Sequence, residues 1–135
     1  MNQDTCLKSV LVIDDEPLVL KYTCSVITGL GYKNVHKAAC ALDARELLLT
    51  QPFGMIVCDV SLPDGDGRQL LREALEVNPE AAGILITGFA CEDLAIPAEL
   101  QERIRLLEKP FTADDISEAL ARTFEQTSVE TTCAH

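Results

Sequence analysis

The sequence has no tryptophan, and only four phenylalanines and two tyrosines. A core has to be built from Leu, Ile, Val and Ala. Positive charge is also scarce. Eleven Lys and Arg stand against 22 Asp and Glu, a formal net charge of −11. That balance disfavours a nucleic-acid groove, because phosphates need a basic face. Anionic membrane surfaces are disfavoured for the same reason. A single local site for an anion stays compatible with an acidic chain. No apolar run approaches the roughly 18–20 residues of a membrane span. The start, Met1-Asn2-Gln3-Asp4, lacks the basic segment and apolar stretch of a secretory leader, so the expected compartment is the cytoplasm.

Several chemistries lack their residues. Cys6, Cys24, Cys40, Cys58, Cys91 and Cys133 are nowhere closer than 16 residues apart, so there is no Cys-x-x-Cys zinc or redox motif. Cysteines inside elements are expected to be small buried hydrophobes. Cys6 and Cys133 fall in the tails, where adventitious oxidation is the greater concern. His36 and His135 are the only histidines. They cannot form a His-based metal site, and His36 is expected to be a partly exposed strand residue. Gly-x-x-x-x-Gly-Lys-Ser/Thr, Gly-x-Gly-x-x-Gly and Gly-x-Ser-x-Gly are all absent. Nucleotide binding and serine hydrolysis therefore find no support.

What the 135 residues do contain suits one domain, and 47% of them are hydrophobic. Val10-Leu11-Val12-Ile13 is short, β-branched and unbroken, and it stops at Asp14-Asp15. Such a run predicts a strand buried on both faces. Met55-Ile56-Val57-Cys58 repeats the pattern and stops at Asp59. Ile84-Leu85-Ile86 stops at Thr87-Gly88, and Ile104-Arg105-Leu106-Leu107 at Glu108-Lys109-Pro110. Asn34 to Ala38 is a weaker strand.

Helical spacing fills the gaps. Leu18, Tyr22, Val26 and Leu30 recur every four residues and predict a first helix, which Gly31 ends. Ala44, Leu47 and Leu48 mark a second, closed by Gln51-Pro52. Leu70, Leu71, Ala74 and Leu75 mark a third, ended before Asn78-Pro79. Ile116, Ala119, Leu120 and Phe124 mark the last. It starts at Thr112-Ala113-Asp114-Asp115, the spacing of a capping box. Between Cys91 and Leu100, Pro97 predicts a short or broken element. The order is βα repeated five times, an α/β fold. It predicts a doubly wound, five-stranded parallel sheet with right-handed crossovers and helices on both faces. The strand order 2-1-3-4-5 is the natural expectation, although periodicity alone does not select it.

Open α/β sheets bind ligands at the carboxyl ends of their strands. Here those ends carry Asp14, Asp15, Asp59, Thr87 and Lys109. Two like charges ~4 Å apart repel by roughly 4 kcal/mol at an effective dielectric near 20. Three carboxylates in one crevice therefore need a counter-charge. Hard oxygen ligands without His or Cys suit Mg²⁺, which favours sites shared with a phosphate. Mg²⁺ with Lys109 balances three carboxylates. The Thr87 hydroxyl and the Lys109 ammonium could hold phosphoryl oxygens, and a carboxylate can itself be the nucleophile.

Each residue also has a duller reading. Asp14-Asp15 before Glu16-Pro17 could merely cap a helix. Asp59 could begin a loop, Lys109 could be a surface lysine, and Thr87 could be an ordinary strand end. Asp64-Gly65-Asp66-Gly67 suits a turn better than a calcium loop, since the terminal Glu of an EF-hand is missing. The functional case rests on joint placement.

Four motifs in order resemble the receiver domain of bacterial two-component response regulators, chemotaxis-regulator-like with a flavodoxin-like fold. They are Val10-Leu11-Val12-Ile13-Asp14-Asp15-Glu16-Pro17, Val57-Cys58-Asp59-Val60-Ser61-Leu62-Pro63-Asp64-Gly65-Asp66-Gly67, Ile84-Leu85-Ile86-Thr87-Gly88 and Leu107-Glu108-Lys109-Pro110-Phe111. The resemblance covers about residues 8–127, leaving short tails at 1–7 and 128–135. It implies that Asp59 accepts a phosphoryl group. It implies Mg²⁺ held by Asp15, Asp59 and the backbone carbonyl of Ser61, with Asp14 acting through water, and phosphoryl oxygens held by Thr87 and Lys109. The donor would be a phosphohistidine on a sensor histidine kinase or a histidine phosphotransfer protein. The output would be a contact with an unknown downstream protein, and such receivers catalyse both their own phosphorylation and its hydrolysis. The Lys109–Pro110 peptide is often cis in these folds. Leu106 stands where the family often has Tyr or Phe, and with Pro97 this departs from its usual aromatic switch. Two other readings compete. A pseudo-receiver would share the fold and only bind, which the full set of site residues opposes. An aspartate-nucleophile phosphatase of the haloacid dehalogenase type would need a second acid at Ser61.

Overall fold

Buried β-branched runs become the centre of a sheet. The structure is a computed structural model that describes residues 9–88, 100 and 102–121. Strands β1 (Ser9–Ile13), β3 (Met55–Asp59) and β6 (Ala82–Thr87) are buried at every position. β2 (Asn34–Ala38) and β7 (Ile104–Glu108) are more exposed and form the two edges. A two-residue hairpin, β4 (Ser61–Leu62) with β5 (Gly65–Asp66), leaves the sheet after β3. All pairings within the main sheet are parallel, in the order β2-β1-β3-β6-β7. Counting the five sheet strands along the chain, this is the expected 2-1-3-4-5.

Alternation along the strands divides the core in two. Leu11, Ile13, Ile56, Cys58 and Leu85 face one side, where α2 (Ala41–Thr50) and α3 (Gly67–Val77) supply Ala41, Ala44, Leu70, Leu71 and Leu75. Val10, Val12, Met55, Val57, Ile84 and Ile86 face the other. There α1 (Pro17–Gly29) and α4 (residues 113–121) supply Leu20, Ile27, Ile116 and Leu120. Each buried aliphatic side chain contributes about 1.5–3 kcal/mol against exposure. The nearly continuous burial of three central strands is thus the main stabilising feature.

The predicted first helix is present, but its four-residue repeat is not its buried face: Leu18 is 82% exposed, and Tyr22 and Leu30 are 45% exposed. α1 instead buries Leu20, Thr23 and Ile27. A strict spacing of four advances about 400° per step, so the stripe drifts about 40° each time and winds off the face. Spacings of three and four, as in 20, 23 and 27, stay on it. The other faces stand as expected. Ala44 is buried, with Leu47 and Leu48 packed against the same cluster, and Leu70, Leu71, Ala74, Leu75, Ile116, Ala119 and Leu120 are buried.

The predicted capping box is present at the start of α4. Thr112 Oγ1 accepts the Asp115 N–H at 3.2 Å, and an Asp115 carboxylate oxygen accepts the Thr112 N–H at 2.9 Å. Cys58 is buried, while Cys24 and Cys40 are half-buried, and all three are free thiols. His36 is half-buried on β2, edge-on to Phe53 at 5.6 Å between ring centres. The broken element around Cys91 and Pro97, Phe124, and Cys6 and Cys133 in the tails lie outside the described residues. Among the described residues no helix is long and apolar enough to cross a membrane.

Candidate functional site

β1 delivers Asp14 into the sheet's carboxyl edge. Its N–H donates to the Ala38 carbonyl at 3.1 Å, which continues the β2 pairing by one residue. Asp14 is fully buried. Its Oδ1 accepts the Glu16 N–H at 2.9 Å, whereas its Oδ2, also buried, has no hydrogen-bond partner among the described residues. Burial, reinforced by the Asp59 charge, raises the Asp14 pKa from 3.8 to about 6. Asp14 is not a helix cap. Glu16 occupies the N-cap of α1 without a side-chain cap bond, and Pro17 begins the helix.

β3 delivers Asp59 one strand away. Its Oδ1 accepts the Ser61 N–H at 2.9 Å, an Asx-type turn that orients the carboxylate. Its Oδ2 accepts from Lys109 Nζ at 2.7 Å. Carboxylate oxygens of Asp14, Asp15 and Asp59 all lie within 4.8 Å of one another. Asp15 is exposed and borders this cluster from the solvent side.

The loop after Asp59 is drawn in tightly. Val60 donates to the Ile86 carbonyl at 2.9 Å, and the Gly67 N–H donates to the Val60 carbonyl at 2.7 Å. A Cβ at position 67 would sit 1.8 Å from the Asp59 carbonyl oxygen, so only glycine fits where α3 begins. Asp66, at the N-cap of α3, accepts the Arg68 N–H at 2.9 Å. The Asp64–Gly67 stretch is thus a hairpin turn followed by a helix start. Cys58 lies behind, its thiol facing the carbonyls of Asp59 and Gly67. Burial and the neighbouring Asp59 charge push its pKa up, so it stays a protonated, structural thiol.

β6 and β7 complete the edge. Asp59 pairs with Ile86, which places Thr87 one residue further along the neighbouring strand, buried at its end. The Thr87 carbonyl accepts the Lys109 N–H at 2.8 Å, and the Lys109–Pro110 peptide is cis. Lys109 Nζ meets Glu16 at 2.5 Å, Asp59 at 2.7 Å and Asp14 at 3.7 Å. Partial burial opposes the lysine's charge, but hydrogen bonds to Asp59 and Glu16 outweigh it and raise its pKa above the usual lysine range.

The structure therefore brings Asp14, Asp15, Asp59 and Lys109 together, with Thr87 on the same edge and Ser61 attached through its backbone. Sequence reasoning missed Glu16 as a partner of Lys109. Its place beside Asp14-Asp15 was a signal, but a helix-start acid is too common to single out. It also missed an open groove of about 560 Å³ beside the cluster, lined by Leu18, Val19, Tyr22, Lys109, Pro110 and Phe111 among others. Leu18 and Tyr22 belong to the four-residue repeat of α1, and both are exposed.

The family model described as the response regulator receiver domain matches residues 10–121. The chain is 29% identical over 110 residues to the response regulator receiver protein CpdR of Brucella abortus (strain 2308), across 82% of this chain and 91% of CpdR. It is 34% identical over 119 residues to the C4-dicarboxylate transport transcriptional regulatory protein DctD of Pseudomonas aeruginosa, across 86% of this chain but 25% of DctD. A crystal structure of a response regulator receiver domain protein from Clostridium thermocellum superposes with a TM-score of 0.75 at 27% identity, across 90% of this chain and 97% of that one. With the acidic cluster and the lysine at the same strand ends, these matches make the chain a member of the response regulator receiver domain family, the receiver domain of two-component response regulators.

Proposed function

We propose that this receiver accepts a phosphoryl group on Asp59, with Mg²⁺ bound beside it, from a phosphohistidine on a sensor histidine kinase or a histidine phosphotransfer protein. We place it in the cytoplasm, signalling by contact with another protein. The observation that carries the reading is the cluster itself: three carboxylates within 4.8 Å, with Lys109 Nζ 2.7 Å from one of them. The residues suit a hard divalent cation, since Asp14 keeps a buried oxygen that has no hydrogen bond among the described residues. Asp14, Asp15, Asp59 and the Ser61 carbonyl are the groups that would hold it, and the cation would supply positive charge to the phosphoryl oxygens.

The chain's own residues then have distinct tasks. A carboxylate oxygen of Asp59 attacks phosphorus, the new O–P bond forms and the N–P bond breaks. The electron pair stays on the imidazole nitrogen, which takes a proton from solvent. The Ser61 N–H restrains Asp59's other oxygen. Lys109 and Thr87 hold the charge that builds on the transferring group. In hydrolysis water attacks phosphorus, the Asp59 O–P bond breaks with its electron pair returning to the carboxylate, and inorganic phosphate leaves as the water's proton passes to solvent. The groove beside Lys109 gives the phosphohistidine partner an apolar surface next to the reacting atoms.

Acetyl phosphate with Mg²⁺, followed by intact-mass measurement, tests the reading. The wild-type protein is expected to gain the mass of one phosphoryl group and Asp59→Asn to gain none. Persistent single labelling of Asp59→Asn would move the acceptor elsewhere. The same measurement with a panel of phosphorylated histidine kinases identifies the donor.

A further inference from the structure

We infer that Asp64 is a positioning residue for the phosphoacceptor loop, clamping the β4–β5 hairpin to the amino end of α2 and so holding the Asp59–Ser61 segment in its metal-binding geometry. The inference rests on the function proposed above.

The hairpin has little to hold it by itself. Only Ser61 with Asp66 and Leu62 with Gly65 are paired, leaving Pro63 and Asp64 as its turn. A ladder this short is not stable in water without an anchor. Ser61 also supplies the N–H that fixes Asp59 Oδ1, so movement of the hairpin moves the phosphoacceptor. From the tip, Asp64 Oδ1 accepts the Ala41 N–H at 2.7 Å and Oδ2 accepts the Leu42 N–H at 3.0 Å. These are the first two helical donors of α2, where backbone dipoles favour an anion. The local N-cap, Cys40, makes no side-chain cap bond, so α2 is capped from 22 and 23 residues away. A charged acceptor with two backbone donors is a strong, directional tether. On the adjoining side Leu62 packs against the core cluster that contains Ala41. The hairpin is thus tethered at its turn by Asp64 and beside the turn by Leu62, beyond the Val60 and Gly67 hydrogen bonds at its base.

A plain helix cap and a loop clamp are separated by giving α2 its own cap. Asp64→Ala removes the tether, and Cys40→Ser in the same chain offers a local hydroxyl acceptor at the N-cap. Calorimetric titration with Mg²⁺ should show affinity weakened about tenfold in Asp64→Ala, the scale of a lost outer-shell partner. In the double variant the melting temperature is expected to return towards wild type while Mg²⁺ affinity stays weak. Without metal, hydrogen exchange at the Ser61 amide is expected to be faster in the double variant than in wild type. Asp64→Asn, which keeps one acceptor oxygen, should fall between and serves if Asp64→Ala does not fold. Wild-type Mg²⁺ affinity and Ser61 exchange in the double variant would overturn the clamp and leave Asp64 a cap. Wild-type protein that neither binds Mg²⁺ nor takes a phosphoryl group would overturn the proposed function, and the clamp with it.

Discussion

Glu16 and Lys109, 93 residues apart in the chain, form an ion pair of 2.5 Å at the mouth of the acidic cluster. The same ammonium reaches Asp59 at 2.7 Å. Among the described residues Lys109 is the only cation paired with Asp59, so Glu16 competes for it and adds an exposed carboxylate at the mouth of the cluster.

Replacing Glu16 by glutamine removes that competition while keeping the side chain's length. Glu16 is 57% exposed, so solvent screens the pair and the effect is modest. Labelling by acetyl phosphate at saturating Mg²⁺ is expected to quicken by about two- to fivefold, the range of an exposed ion pair. Slower labelling would show instead that Glu16 holds Lys109 where the reaction needs it.

Asp14 sets the pH response of the metal-free protein. Its pKa of about 6 in the fold lies above the ordinary 3.8. Between those values the folded chain holds a proton that the unfolded chain has released. Stability from this group is therefore present at low pH and is lost as pH rises through about 6, by up to about 3 kcal/mol. Mg²⁺ needs the ionised form and should reverse the trend. At 100 times its dissociation constant it adds about 2.7 kcal/mol. Melting curves with Mg²⁺ and with chelator should differ most above pH 6 and converge below it. Equal melting at every pH would remove the metal from the site.

Gly67→Ala would place a methyl group 1.8 Å from the Asp59 carbonyl oxygen, with backbone on both sides of the clash. Neither can yield without moving Asp59 or the start of α3. Loss of about 3 kcal/mol or more is expected in denaturant unfolding, with labelling impaired in the protein that still folds.

Thr23 buries a hydroxyl that has no hydrogen-bond partner among the described residues, on the inner face of α1. Valine has the same shape without the polar atom. Thr23→Val should be neutral or stabilising by about 1 kcal/mol in the same unfolding measurement, and a clear loss would reveal a partner for the hydroxyl.

Much of this was legible one element at a time. The runs ending at Asp14, Asp59, Thr87 and Glu108 marked four strands and the edge to which each delivers its chemistry. The Thr112–Asp115 spacing marked a cap that the structure contains. Local hydrogen bonding and burial on both faces leave such signatures in consecutive residues. α1 shows where that ends. Its residues permit two stripes, and the four-residue repeat through Leu18 and Tyr22 is the one that spacing makes visible. Packing against Val10 and Val12 selected the other and left Leu18 and Tyr22 to line a groove.

Sequence by itself determined the alternation of strand and helix, the aliphatic core and the set of acids, threonine and lysine at the strand ends. Tertiary structure alone decided that Lys109 is shared between Asp59 and Glu16, that Asp14 is fully buried beside them, and that Asp64 caps a helix it does not belong to. The reason is range. A strand or a cap is decided by neighbours a few residues away, whereas a carboxylate's partner 50 or 93 residues off exists only once the sheet has set its register.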